Sequence, residues 1–161
     1  MDSYEKFKAE LKKAASEFKA IDKKETIRLV SHLDADGISA AAVFVKLMNL
    51  ENRKYSLSII QQLNKEVLEE FAHEDYKNFV FTDLGCGILS GLKEILGDRK
   101  VFVLDHHTPE DVEVPSNVIV INPHYQGIDG GKEISGAGVT YMFAREVDEE
   151  MENFAHVAII G

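Results

Sequence analysis

Short β-prone segments recur along the chain, and several of them end on an aspartate or a histidine. Residues 26–30 run into the polar stretch Ser31 to Gly37, and Phe79-Val80-Phe81 runs into Thr82-Asp83-Leu84-Gly85. Val101-Phe102-Val103-Leu104 runs into Asp105-His106-His107, and Val118-Ile119-Val120-Ile121 ends at Asn122-Pro123. A further strand is expected at residues 55–60, with helices at 38–48, 65–72 and 88–96, the last closed by Gly97. Continuous apolar strands that alternate with helices imply a parallel sheet covered on both faces, because a strand without polar alternation has no face to give to water. The expected fold class is α/β: a doubly wound, mostly parallel sheet with helices on both faces. In such sheets ligands sit beyond the carboxyl ends of the strands, which is where the aspartates and histidines fall.

Ahead of this pattern, Tyr4, Phe7, Leu11, Ala14, Phe18 and Ile21 recur at spacings of three and four, which draws an apolar stripe along an amphipathic N-terminal helix capped by Asp2 or Ser3. Residues 1–25 are read as this helix, packed on the domain formed by residues 26–161. The chain of 161 residues fits one domain, and its charge is acidic, with 18 Lys and Arg against 28 Asp and Glu, a net −10. That balance argues against non-specific binding to a phosphate backbone, so positive charge for an anionic substrate has to come from metal ions. No apolar run approaches the ~18 residues that cross a bilayer, and the N-terminus lacks the apolar core of a signal peptide, so no membrane partner and a cytoplasmic location are expected. The single cysteine, Cys86, excludes an internal disulfide and a Cys-based zinc site. It is read as a small turn residue, and His73 and His156, which have no motif around them, as surface or packing residues.

Three strand ends carry the chemistry: His32, Asp34 and Asp36 after the first, Asp83 after the third, and Asp105, His106 and His107 after the fourth. Any one aspartate alone reads as a helix cap or turn residue. Several carboxylates at one sheet edge repel one another unless cations neutralise them, so jointly they point to a divalent metal cluster. Carboxylate and imidazole ligands suit manganese or magnesium, although ligand type does not separate manganese from cobalt or iron. Two such ions ~3.5–4 Å apart activate water and stabilise the oxygens around a phosphorus centre, which makes phosphoester hydrolysis the expected reaction class.

Ser31-His32-Leu33-Asp34-Ala35-Asp36-Gly37, Thr82-Asp83-Leu84-Gly85 and Leu104-Asp105-His106-His107 resemble, in order and spacing, the first three signature motifs of the DHH phosphoesterase superfamily. The resemblance implies a Rossmann-like DHH catalytic domain holding two divalent ions, Mn2+ first, with Mg2+ or Co2+ as substitutes. It implies that His32 and Asp34 hold one ion, that Asp36 and His106 hold the other, and that Asp83 bridges them. It places His107 against the substrate phosphate as a catalytic residue, with Asp105 either orienting an imidazole or approaching a metal.

Residues 121–139, with Asn122-Pro123-His124, Gly127-Ile128-Asp129-Gly130 and Ser135-Gly136-Ala137-Gly138, are similar to the stretch after the third motif in archaeal RecJ-like proteins, a branch that includes nucleases associated with the GINS complex. Ser135 is read as the cap of a helix from Gly136 to about Glu146, whose amides either meet a phosphate or pack closely on the sheet. Ser135, Gly136 and His124 are the candidate substrate-binding residues, with a turn as the blander role for His124. The superfamily's fourth motif, with a further metal-binding aspartate, and its C-terminal substrate domain have no counterpart before Gly161, so the domain is expected to be incomplete and to draw on a separate C-terminal half. The function implied is a RecJ-like exonuclease on single-stranded DNA or RNA in replication or repair, 5′ to 3′ if it follows RecJ. Two alternatives remain: a phosphoesterase of short oligonucleotides, cyclic dinucleotides or pyrophosphate, and a non-catalytic scaffold that binds GINS and helicase.

Overall fold

A computed structural model describes residues 2–161. Five strands, β1 (Ile27–His32), β2 (Tyr55–Ile60), β3 (Asn78–Thr82), β4 (Lys100–Leu104) and β5 (Val118–Ile121), form one sheet in the order β2-β1-β3-β4-β5. Every pairing is parallel, with Leu29 opposite Leu57 and Val80, and Val80 opposite Phe102. The central strands are buried on both sides, and all five residues of β3 are buried, the apolar run Phe79-Val80-Phe81 at its middle as burial on both faces requires. The expected doubly wound α/β class is the observed one.

One face is covered by α1 (Ser3–Lys19), α2 (Ala35–Leu50) and α5 (Gly136–Val147), and the other by α3 (Lys65–Ala72) and α4 (Leu89–Leu96). A short α6 (Ala155–Ala158) follows a 3-10 turn near the end of the chain. Asp2 caps α1 by accepting the Glu5 amide at 2.8 Å. Phe7, Leu11, Ala14, Ala15 and Phe18 of that helix are buried. Phe18 meets the rings of Phe44, Phe102 and Phe143 edge-on, each at 5.7 Å between centroids, an arrangement that sets the positive edge of one ring against the negative face of another. The carbonyls at the end of α1 are satisfied by a buried guanidinium: Arg53 donates to Ile21 at 2.8 Å and to Lys19 at 3.3 Å. Tyr4 departs from the expected stripe, because its ring is 52% exposed and its hydroxyl donates instead to Glu133 at 3.0 Å. No helix among the described residues is long and apolar enough to cross a membrane.

The strand order positions the site. From β1 the chain moves outward to β2 and then returns to the other side of β1 as β3, so the loops after β1 and β3 diverge and leave a crevice at the carboxyl edge of the sheet. The floor of that crevice is stitched by side chains: Thr82 donates its hydroxyl to Ser31 Oγ at 2.7 Å, and the Ser31 hydroxyl lies 2.7 Å from the Gly37 carbonyl that accepts it. These contacts tie the ends of β1 and β3 to the first turn of α2.

Candidate metal centre

Asp83 lies at the middle of the crevice. It follows the last residue of β3 in a left-handed backbone conformation, φ 59°, which aspartate tolerates better than bulkier residues, and its amide still donates to Leu104 at 2.8 Å. That conformation turns a fully buried carboxylate up between the two neighbouring loops. Its Oδ2 lies 3.8 Å from His32 Nδ1, which is itself 3.0 Å from Asp34 Oδ2. Its Oδ1 lies 3.3 Å from His106 Nε2, which is 3.4 Å from Asp36 Oδ2. The two oxygens of Asp83 thus face two separate pairs, each of one imidazole and one carboxylate.

The second nitrogen of each imidazole is pinned. His32 Nε2 donates to the Gln61 carbonyl at 3.0 Å and His106 Nδ1 to the Gly130 carbonyl at 2.6 Å, so that in the neutral imidazoles the lone pairs of His32 Nδ1 and His106 Nε2 face Asp83. Gly130 can approach this closely because it has no Cβ, which would overlap the His106 carbonyl. His107 differs. Its Nδ1 donates to Asp105 Oδ1 at 2.7 Å, and its imidazole is exposed. Asp105 is saturated, since it also accepts the amides of Cys86, His106 and His107, so it orients His107 and the loop.

Asp36 is held by α5. The amides of Gly136 and Ala137 donate to its two oxygens at 2.7 and 2.6 Å, and the Gly138 amide donates to Ser135 Oγ at 3.2 Å. The first amides of α5, offered by the sequence to a phosphate or to close packing, are spent on the Asp36 carboxylate, which the positive end of the helix favours. Gly136 also presses on Asp83: a Cβ there would overlap Asp83 Oδ1 and stand 2.7 Å from its Cγ. Asp34 does two things at once, capping α2 through the Gly37 amide at 2.8 Å while its other oxygen faces His32. His124 is the second residue of a 3-10 turn (Pro123–Gln126) whose cap is Asn122, and its Nε2 lies beside Gly130.

Electrostatics mark the same atoms. Burial pushes the Asp83 carboxyl up to about 6, with Asp36, Asp105 and Asp34 adding to the rise against the pull of His106. Contact with Asp83 lifts His106 to about 9. The Asp105 carboxylate raises His107, and His107 with the Cys86 amide outweighs burial to keep Asp105 low. Both oxygens of Asp83 and Nδ1 of His32 are buried without a hydrogen-bond partner. A buried carboxylate with two unpartnered oxygens costs several kcal/mol unless a cation meets it. His32, Asp34 and Asp83 present ligand atoms close enough for one ion, as do Asp83, His106 and His107. The donor set therefore fits hard or borderline divalent cations.

Sequence reasoning missed the groups that aim these side chains. The Gln61 and Gly130 carbonyls act through the backbone, which leaves no residue-type signal. Asn122, which donates to the His107 carbonyl at 2.8 Å and lies 3.1 Å from Cys86 Sγ, was legible only as part of a turn.

A family model described as the DHH family, N-terminal domain, matches residues 26–161. An uncharacterised protein of Methanocaldococcus jannaschii is 36% identical over 141 residues, which cover 84% of this chain and 32% of that protein. The single-stranded-DNA-specific exonuclease RecJ of Bacillus subtilis is 24% identical over 99% of this chain and 22% of its own length. Among solved structures, RecJ of Thermus thermophilus in complex with Mn2+ superposes with a TM-score of 0.74 at 26% identity, over 92% of this chain and 23% of that one. The chain spans less than a third of the length of each.

Proposed function

The chain belongs to the DHH family, and on that premise we propose that it is the catalytic domain of a RecJ-like, metal-dependent phosphoesterase that hydrolyses phosphodiesters of single-stranded DNA or RNA. The observation that carries this reading is Asp83, with two buried, unpartnered oxygens aimed at two pairs of nitrogen and oxygen donors. His32 and Asp34 would hold one divalent ion and Asp36 and His106 the other, with Asp83 shared between them. The ions, Mn2+ by preference, supply a lowered water pKa and a counter-charge for the phosphoryl oxygens.

The residues around them do the rest. The Gln61 and Gly130 carbonyls fix the tautomers of His32 and His106, and α5 fixes Asp36, so the donors are set before substrate arrives. His107 is not needed as a ligand in this arrangement. Held at Nδ1 by Asp105, whose carboxylate favours the imidazolium, it presents Nε2–H to the crevice, where it donates to a phosphoryl oxygen as negative charge develops in the transition state. In the net reaction the oxygen of water bonds to phosphorus, the P–O ester bond breaks, and the leaving oxygen takes up a proton.

The test is hydrolysis of a 5′-labelled single-stranded oligonucleotide with Mn2+, by the chain alone and mixed with a GINS complex or a candidate C-terminal half. Stepwise shortening that requires metal and is lost in Asp83→Ala supports the reading. No shortening in any mixture by protein that has bound Mn2+ would count against it.

A further inference from the structure

We propose that Tyr4 and Glu133 are positioning residues through which the N-terminal helix sets the Asp36 and His106 half of the centre. The proposal rests on the two-ion reading above and adds to it a control exerted from α1. Its basis is the segment of residues 128–135, between the 3-10 turn and α5. That segment supplies the Gly130 carbonyl to which His106 Nδ1 donates at 2.6 Å, and it runs directly into the Gly136 and Ala137 amides that hold Asp36. One stretch of chain thus aims both ligands of one ion. The other half is aimed independently, His32 by the Gln61 carbonyl and Asp34 by its cap on α2.

The segment is a turn closed by two carboxylates. The Asp129 carbonyl accepts the amides of Lys132 at 3.1 Å and Glu133 at 2.8 Å, and the Asp129 side chain accepts the Gly131 amide at 2.9 Å. Glu133 closes the turn in return, since its Oε2 accepts the Asp129 amide at 2.7 Å. The other oxygen of that carboxylate, Oε1, accepts the Tyr4 hydroxyl at 3.0 Å. A single side chain therefore ties the turn to itself and to α1. Gly130 lies inside this turn with no slack toward the centre: a Cβ on it would overlap the His106 carbonyl and stand 3.0 Å from His124 Nε2. On the α1 side, Tyr4 belongs to the first turn of a helix anchored by Phe7 and Leu11, which are buried in the same core as Ile128. The hydroxyl is thus delivered from a rigid element. This tie accounts for a ring that fits the apolar stripe yet stands 52% exposed.

The metal-free chain tests the coupling by NMR, through the His106 Nδ1 proton, assigned with His106→Ala, and Mn2+ calorimetry tests its consequence. Removing a group that orients a metal ligand typically costs about 10–100-fold in affinity. Glu133→Ala, which deletes both ties, should shift the His106 resonance, leave those of His32 in place and weaken the binding of one Mn2+ about tenfold. Tyr4→Phe keeps the ring and loses one exposed bond, so about threefold is expected, and Glu133→Gln, which retains an acceptor, should recover part of the loss. In His106→Ala protein, Glu133→Ala should weaken Mn2+ binding no further. An unchanged His106 resonance in Glu133→Ala overturns the proposal. So does a shift of the His32 and His106 resonances together, which is the mark of general loosening. A shifted His106 resonance in a chain that takes up no Mn2+ would leave the coupling standing and sink the metal reading; two Mn2+ bound identically by parent and Glu133→Ala does the reverse.

Discussion

Gly136→Ala probes the contact between α5 and the centre with the smallest possible change. The new Cβ would overlap Asp83 Oδ1 and lie 2.7 Å from its Cγ and 2.8 Å from its Cβ, where ordinary contact begins at 3.4 Å. Asp83 cannot swing away, since its amide is bonded to Leu104 and its side chain is buried. The helix must therefore retreat by about 0.7 Å or more to restore ordinary contact, and the Gly136 and Ala137 amides move with it, away from Asp36. Overpacking costs about 1–3 kcal/mol, and weakening two charge-assisted hydrogen bonds adds roughly 1.5–3 kcal/mol. Removing a glycine from a helix returns about 0.5–1 kcal/mol. The net loss is about 1.5–5.5 kcal/mol, a fall in Tm of roughly 3–20 °C for a domain of this size, together with weaker Mn2+ binding because Asp36 and Asp83 no longer hold their spacing. Thermal melts and Mn2+ calorimetry on the two proteins read both effects. Gly138→Ala is the control, because its Cβ meets the Ile134 side chain, which can rotate aside. Parental Tm and parental Mn2+ affinity in Gly136→Ala would refute the reasoning.

Asp83→Asn should abolish Mn2+ binding yet raise the Tm of the metal-free protein, because it removes a buried, repelled carboxylate; a metal-free Tm below the parent's would contradict this. Phe18→Ala, which deletes a ring contacting three others in the core, should cost about 3–5 kcal/mol in urea denaturation, and a loss under ~1 kcal/mol would mean that α1 is peripheral. Burial and the nearby Asp105 carboxylate push the Cys86 thiol above its usual 9.0. A folded-state pKa raised in this way leaves its stabilisation intact below 9.0 and erodes it as pH climbs beyond. Native protein should accordingly resist thiol reagents at about pH 8, and Cys86→Ala should lose less stability than the parent between about pH 9 and 10.5. Rapid native labelling, or identical pH profiles, would show the thiol to be accessible or unshifted.

The alternation of apolar strands and helices made the sheet legible, because burial on both faces leaves no polar residue in the middle of β3 or in the core of β4. Element ends were harder to read. The first strand continues through Ser31 and His32, polar residues that still pair with Ile59 and Ile60 of β2. The second helix starts at Ala35, ahead of its apolar stretch, because Asp34 caps it. Tyr4 fits the apolar spacing of α1 but lies at its first turn, where the loop carrying Glu133 offers its hydroxyl a partner. At the centre, the convergence of three loops on Asp83 could be read from residue types at strand ends. The dependence of Asp36 on α5, 100 residues later in the chain, could not, because backbone amides carry no signature in the sequence. The same holds for the carbonyls that set the tautomers of His32 and His106.

The central claim is that Asp83 lies between two cations. Crystals grown with saturating Mn2+ and measured at the manganese absorption edge test it directly. The account predicts two anomalous peaks ~3.5–4 Å apart, one on the His32 and Asp34 side of Asp83 and one on the Asp36 and His106 side. Peaks elsewhere on the molecule, or an empty crevice in protein saturated with manganese, would contradict it.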